Sequence, residues 1–94
     1  MFKRGTQIAY IPMHAFGDIN HPDVEIGFIT SMSDHDTAFC RYWSKYHPDE
    51  LRTKANSEAC NTDGLVPYIS KPQEVVDKLL AEIDKADLFG GSKP

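Results

Sequence analysis

Cysteine is scarce in this chain of 94 residues: Cys40 and Cys60 stand alone, with no C-x-x-C pair. That excludes a disulfide-stapled scaffold and the common cysteine zinc motifs, so both thiols are read as reduced. Long apolar runs are missing too, and Met1-Phe2-Lys3-Arg4-Gly5 leads into no stretch of signal-peptide length. A membrane span is therefore not expected, and a cytoplasmic location is. Basic charge is in deficit, with ten Lys plus Arg against 14 Asp plus Glu and a net charge of -4. Duplex binding needs a basic surplus to release counterions, so nucleic acid is not the expected partner. None of the six glycines belongs to a phosphate-cradling loop, and neither G-x-S-x-G nor H-E-x-x-H occurs. With no catalytic pattern assembled, the chain is read as a non-enzyme.

What is present is an ordinary globular composition, 40% hydrophobic and 26% charged, enough for one modest core in a single domain spanning 1–94. Up to residue 68 short β-prone runs alternate with polar turn residues. The expected strands are Gln7 to Pro12, Val24 to Ser31, Thr37 to Trp43, Ala55 to Cys60 and a short one at Leu65 and Val66. Met32-Ser33-Asp34-His35-Asp36 reads as the turn of a hairpin joining the second and third. From Ser70 the period changes. Val75, Val76, Leu79, Leu80 and Ile83 form one stripe of an amphipathic helix over about 71–87, with Ser70 and Gln73 spaced as a capping box. Residues 89–94 read as a frayed tail.

Five short strands in about sixty residues are too few for a two-sheet sandwich, so a small, strongly bent barrel is the economical way to remove sheet edges. Side chains alternate along a strand. On the third strand Ala38, Cys40 and Tyr42 share one face and Phe39, Arg41 and Trp43 the other. On the second, Val24, Ile26 and Phe28 are expected inside, and Gly27 marks a bend or a close backbone approach.

Several stretches carry a resemblance: Gly5-x-x-Ile8-Ala9-Tyr10-Ile11-Pro12, His14-Ala15-x-Gly17-Asp18, His21-Pro22-Asp23-Val24-Glu25-x-Gly27, Ala38-Phe39-Cys40-Arg41-Tyr42, Leu51-Arg52-Thr53, Ala55-Asn56-Ser57-Glu58 and Leu65-Val66. Over residues 5 to 67 the chain resembles small SH3-like barrel proteins of unknown function encoded by bacteriophages and other mobile elements. The resemblance implies a mainly β fold, a five-stranded SH3-like barrel over 5–68, to which the helix at 70–88 is an addition. It implies no catalytic residues.

Two constellations stand out. The loop from His14 to Asp23, continued by Glu25, holds His14, Asp18, His21 and Asp23, ligand types acceptable to zinc, manganese or iron(II). The same composition serves a loop held by side-chain bonds to its own backbone, with Asp18 and Asp23 the first candidates for capping amides. The second is the row Phe39, Arg41 and Trp43, extended by Tyr46, an arginine among aromatics as in binding hot spots. The competing reading lays the helix across this face, with Val76, Leu79, Leu80 and Ile83 covering Phe39 and Trp43. Cys40 reads as a buried hydrophobe, Cys60 as more exposed, and Asp34-His35-Asp36 as a solvated turn.

The expected function is a non-catalytic binding or adaptor protein engaging a protein partner, as a phage or mobile-element accessory factor or host-directed inhibitor, without a cofactor. The alternatives are a divalent-metal protein using the His14–Asp23 loop and an SH3-like module for single-stranded nucleic acid. A homo-oligomer formed through the helix stripe is a further expectation.

Overall fold

Five β-prone runs form one antiparallel sheet in the computed structural model, which describes residues 2–53 and 57–86. The strands are β1 (Gln7–Tyr10), β2 (Glu25–Met32), β3 (Thr37–Tyr42), β4 (Glu58–Asn61) and β5 (Leu65–Pro67), followed by the helix α1 (Gln73–Ala86). The expected tail at 89–94, and Ala55 and Asn56 at the expected start of β4, lie outside the described residues. Single turns of 3-10 helix occur at Met13–Ala15 and Thr62–Gly64. Strand β1 stops two residues earlier than expected: the Ile11 amide still donates to the Gly64 carbonyl at 2.8 Å in the register of β5, and Pro12 has no amide with which to carry the ladder on. Past the end of β3, Trp43 donates its amide to the Ile26 carbonyl at 2.8 Å and forms an isolated bridge to Leu51. The β2–β3 hairpin turns on Asp34, whose Oδ1 accepts from the amides of Asp36 and Thr37 at 2.8 and 2.9 Å.

The order is β4-β3-β2-β1-β5, and the edge strands β4 and β5 do not pair, so the ladders leave the expected barrel unclosed. The sheet is nonetheless strongly curled. Five strands laid flat would hold their outer members about 19 Å apart. The turn joining β4 to β5 reaches across about 8 Å as 3-10 helix, so both edges must bend toward each other. At Gly27, beside Tyr42 in the ladder, a Cβ would stand 1.9 Å from the Arg41 carbonyl oxygen, and only glycine permits that approach.

Curling gives the sheet two unequal faces, and each has its own core. Ile8, Ile29, Ala38, Cys40, Tyr42 and Leu65 pack together, joined by Cys60, so residues from all five strands meet on the concave side. On the convex side Phe28 and Trp43 pack under Val76 and Leu80 of α1, with Ile26 and Leu79 beside them. The expectation that Ile26 and Phe28 point inside is thus corrected: they face the helix, and Ile29 takes the interior position. Both sets are apolar, so alternation by itself names no inside. Val76 and Leu80 of the helix stripe are buried on the sheet and Leu79 and Ile83 partly so, while Val75 is exposed.

Buried Gln7 clamps the start of α1. Its Oε1 accepts from the amides of Ser70 and Lys71 at 3.2 and 3.0 Å, and its Nε2 donates to the Lys71 carbonyl at 2.7 Å. The Gln73 amide group donates to the Gly5 carbonyl at 2.9 Å, away from Ser70. The expected capping box therefore gives way to a tertiary clamp, and the helix begins at Gln73.

Candidate functional site

The His14–Asp23 loop folds mostly on itself. After the first 3-10 turn Phe16 takes a left-handed backbone (φ 51°) and Gly17 follows at φ 79°. Asp18 Oδ1 accepts from the Asn20 amide at 2.9 Å, the local bond expected of it. Asp23 does something else. Its carboxylate meets His14 Nε2 at 2.7 Å, and that bond holds the carboxyl below the ordinary carboxylate range. The capping role falls to His21, whose Nδ1 accepts from the Asp23 amide at 3.0 Å. The two imidazoles stand edge to face at 5.2 Å. Ligand atoms of His14, His21 and Asp23 lie within 4.8 Å of one another. Asp18 does not join this group, and Glu25 pairs with Arg52 at 3.3 Å and Lys45 at 3.8 Å.

The row Phe39, Arg41, Trp43 and Tyr46 is broken up. Arg41 and Trp43 are 8% and 7% exposed. The Arg41 guanidinium donates to the Thr53 carbonyl at 2.9 Å and to Ser57 Oγ at 3.2 Å. Trp43 lies tilted on Phe28 at 5.8 Å, with the Lys71 ammonium 5.1 Å above its ring. Phe39 is half-buried, and Tyr46 alone stands out, in a loop whose Ser44 Oγ accepts from the Tyr46 and His47 amides. The pair expected to meet a partner is thus structural, and α1 covers Trp43 as the competing reading had it.

A groove of about 940 Å³ opens instead between the first loop and the end of the sheet. Its charged lining is Asp23, Glu25, Glu58 and Asp63 against Lys45, Arg52 and His14. Arg52 bridges Glu25 and Glu58, the latter at 2.9 Å, and Lys45 also donates to the Pro22 carbonyl. Met13 on the rim is 91% exposed, and Phe16 on the same loop 92%. Two large apolar side chains held in water beside a charged groove have no part in the core. The sequence carried a trace of this, since Phe16 is a large apolar residue of a polar loop without periodic partners. It carried none for Arg52, Glu58 and Asp63, which reach the groove only through the sheet's register and curl.

On the groove floor Cys60 Sγ lies 2.8 Å from the Tyr42 hydroxyl. Hydrogen bonds from Cys40 and then Tyr42, with the Arg52 charge, outweigh burial and Glu58 and draw this thiol down to about 6. The bond to Cys60 and burial push the Cys40 thiol well up, and burial first of all does the same to Tyr42.

Compared with known protein families, with curated proteins and with solved structures, the chain matches none. No helix among the described residues is long and apolar enough to cross a membrane.

Proposed function

We propose that the protein is a non-catalytic binding module of SH3-like barrel type, whose groove receives a basic and apolar segment of a protein partner. The barrel reading rests on the strand order and on the short 3-10 link that draws the two edges together. The observation that carries the binding reading is Phe16, almost wholly exposed in a left-handed conformation that costs a non-glycine residue about 1–2 kcal/mol. Strain kept at an exposed aromatic side chain is spent on presentation rather than on packing. Charge supplies the class of partner: four carboxylates line the groove against two cations and His14, in a chain that is acidic throughout. The groove's volume suits a short peptide stretch, with the rim residues taking its apolar side chains.

The test is titration of a short peptide alternating Arg with Leu into isotopically labelled protein. Shifts should concentrate at Met13, His14, Phe16 and Asp63, and an acidic peptide of the same pattern should produce none. Replacing Met13 and Phe16 together with Ser should weaken binding about tenfold or more at unchanged thermal midpoint. Shifts on the α1 side, or none anywhere, would overturn the reading.

A second reading, a divalent cation on His14, His21 and Asp23, is favoured by the proximity of the three ligand atoms. His21 Nδ1 is already taken by the Asp23 amide, so His21 would bind through Nε2 and give up that bond. Calorimetric titration with Zn²⁺ decides it: a 1:1 isotherm lost in His21→Ala supports the site, and heat no larger than dilution ends it.

A further inference from the structure

The unclosed sheet has two free edges, and the register fixes what each one offers. Along an antiparallel strand, successive residues turn their amide and carbonyl groups alternately to one side and the other. On β5 the Gly64 carbonyl takes the Ile11 amide and the Tyr68 amide goes to the Gln7 carbonyl, so Gly64, Val66 and Tyr68 face β1. Leu65 and Pro67 face out. The Leu65 amide is bonded to the Thr62 carbonyl, and Pro67 has no amide, so β5 presents no free donor. On β4 the Thr62 amide goes to the Asp36 carbonyl, so the pairs Cys60–Ala38 and Glu58–Cys40 carry the bonds to β3. Ala59 and Asn61 then turn outward. Both residues are exposed, and their main-chain groups have no partner among the described residues. The two outward sets stand about 6.8 Å apart, the two-residue repeat of an extended chain. Strand β4 has no Pro, Lys or bulge to guard it, and the charge of Glu58 is held by Arg52 at 2.9 Å. This edge is also a wall of the groove, whose lining includes Ala59, Cys60 and Asn61.

We propose that β4 is the docking strand, and that the partner's segment enters the groove extended and adds to the sheet as a sixth strand bonded to Ala59 and Asn61. This rests on the binding reading above and gives it a geometry. Main-chain donors and acceptors at strand spacing recognise an extended backbone, and side chains at every second position then supply specificity. One set of the added strand's side chains falls on the concave side, beside Tyr42 and Cys60, and the other set on the convex side. The occupant is basic, because Asp63, two residues beyond β4, lines the groove with no ion-pair partner among the described residues, in a chain of net charge -4. A segment alternating Arg with Leu meets both demands, since as a strand it places every Arg on one face and every Leu on the other. A second copy of the chain fits less well, because edge-to-edge pairing would set two acidic molecules against each other.

The experiment follows amide hydrogen exchange in the isotopically labelled whole chain, free and saturated with the Arg–Leu peptide. Exchange at the Ala59 and Asn61 amides should slow about tenfold or more, with smaller changes at Glu58 and Cys60, whose amides are already bonded to β3. Peptides N-methylated at every second residue should lose about tenfold in affinity when one set is methylated and little when the other is. Ala59→Pro removes an amide that the β3 ladder does not use, so it should weaken the peptide about tenfold at a nearly unchanged thermal midpoint. Shifts at Met13 and Phe16 without slowed exchange at Ala59 and Asn61 would overturn edge pairing and leave the binding reading standing. Absence of any shift would overturn both. Slow exchange at these two amides in the peptide-free protein, growing with its concentration, would assign the edge to a second copy, and equal losses from both N-methylated sets would mean that no strand is added. Either result overturns the proposal.

Discussion

The concave face of β2 and β3 packs Ile29, Cys40 and Tyr42 against both curled edges of the sheet, whereas the convex face packs Phe28 and Trp43 beneath α1. The two faces come from the same alternation and bury comparable side chains, yet they differ in chemistry. The concave core holds two thiols and a phenol, with the Tyr42 hydroxyl 2.8 Å from Cys60 Sγ, and opens onto the groove. The convex core is hydrocarbon and indole, sealed by a helix. With both faces of the central strands covered, the binding reading proposed above falls on the rim, where loops meet strand ends. That is where Met13 and Phe16 are exposed and where the carboxylates of the groove gather, most of them paired with Arg52, Lys45 or His14.

The sharpest way to break this arrangement is at the ladder between the faces. Gly27→Ala forces a Cβ onto the Arg41 carbonyl, and backbone on both strands must move. A loss of about 3 kcal/mol or more is expected in urea denaturation, a large part of a small domain's stability. A near-normal midpoint would mean that β2 and β3 are farther apart than described.

Next in size is Arg41→Ala, which strips the Thr53 carbonyl and Ser57 of their donor inside the fold and should cost about 2–3 kcal/mol. Were Arg41 a partner-binding residue only, its removal would leave stability intact, so thermal melts distinguish the two roles directly.

The chemistry of the two faces separates in a pH profile of stability. Cys60 has its folded pKa, about 6, below the unfolded value, so its contribution is complete above the unfolded thiol pKa and is lost as pH falls through 6. Cys40 and Tyr42 have folded values raised above their unfolded ones, so theirs is complete at low pH and is lost as pH rises past about 9–10. The melting temperature should climb from pH 6 toward about 8.5 and then decline. Cys60→Ser should flatten the rising limb, and a convex-face variant such as Leu80→Ala should lower the whole curve without changing its shape.

The smallest effect is expected at the rim. Phe16→Gly removes the left-handed strain and adds unfolded-state entropy, two terms of about 1 kcal/mol and opposite sign, so stability should stay within ~0.5 kcal/mol of the parent. Peptide binding should fall in the same variant. A marked loss of stability would show that Phe16 packs after all.

Local features of this chain were legible before its fold. The Asp34 turn follows from a short polar link between two β-prone runs, and α1 from its stripe, both within reach of a few residues. Gly27 was legible as a close approach, because a bare glycine in an apolar strand has few other uses. The interior of β2 was not, since Ile26, Phe28 and Ile29 make either face apolar. Nor was the start of α1, where the side chain of Gln7 from β1 outcompetes the local cap.

The sequence by itself determined a mainly β chain with a C-terminal amphipathic helix and a loop dense in His and Asp, because strand, turn and helix preferences act over a few neighbouring residues. Only the tertiary structure decided which apolar face became the interior, that Arg41 and Trp43 serve the core, and that Tyr42 meets Cys60 across eighteen positions of chain. Those outcomes depend on the sheet's register and curl, which bring together residues whose separation in sequence carries no signal of their contact.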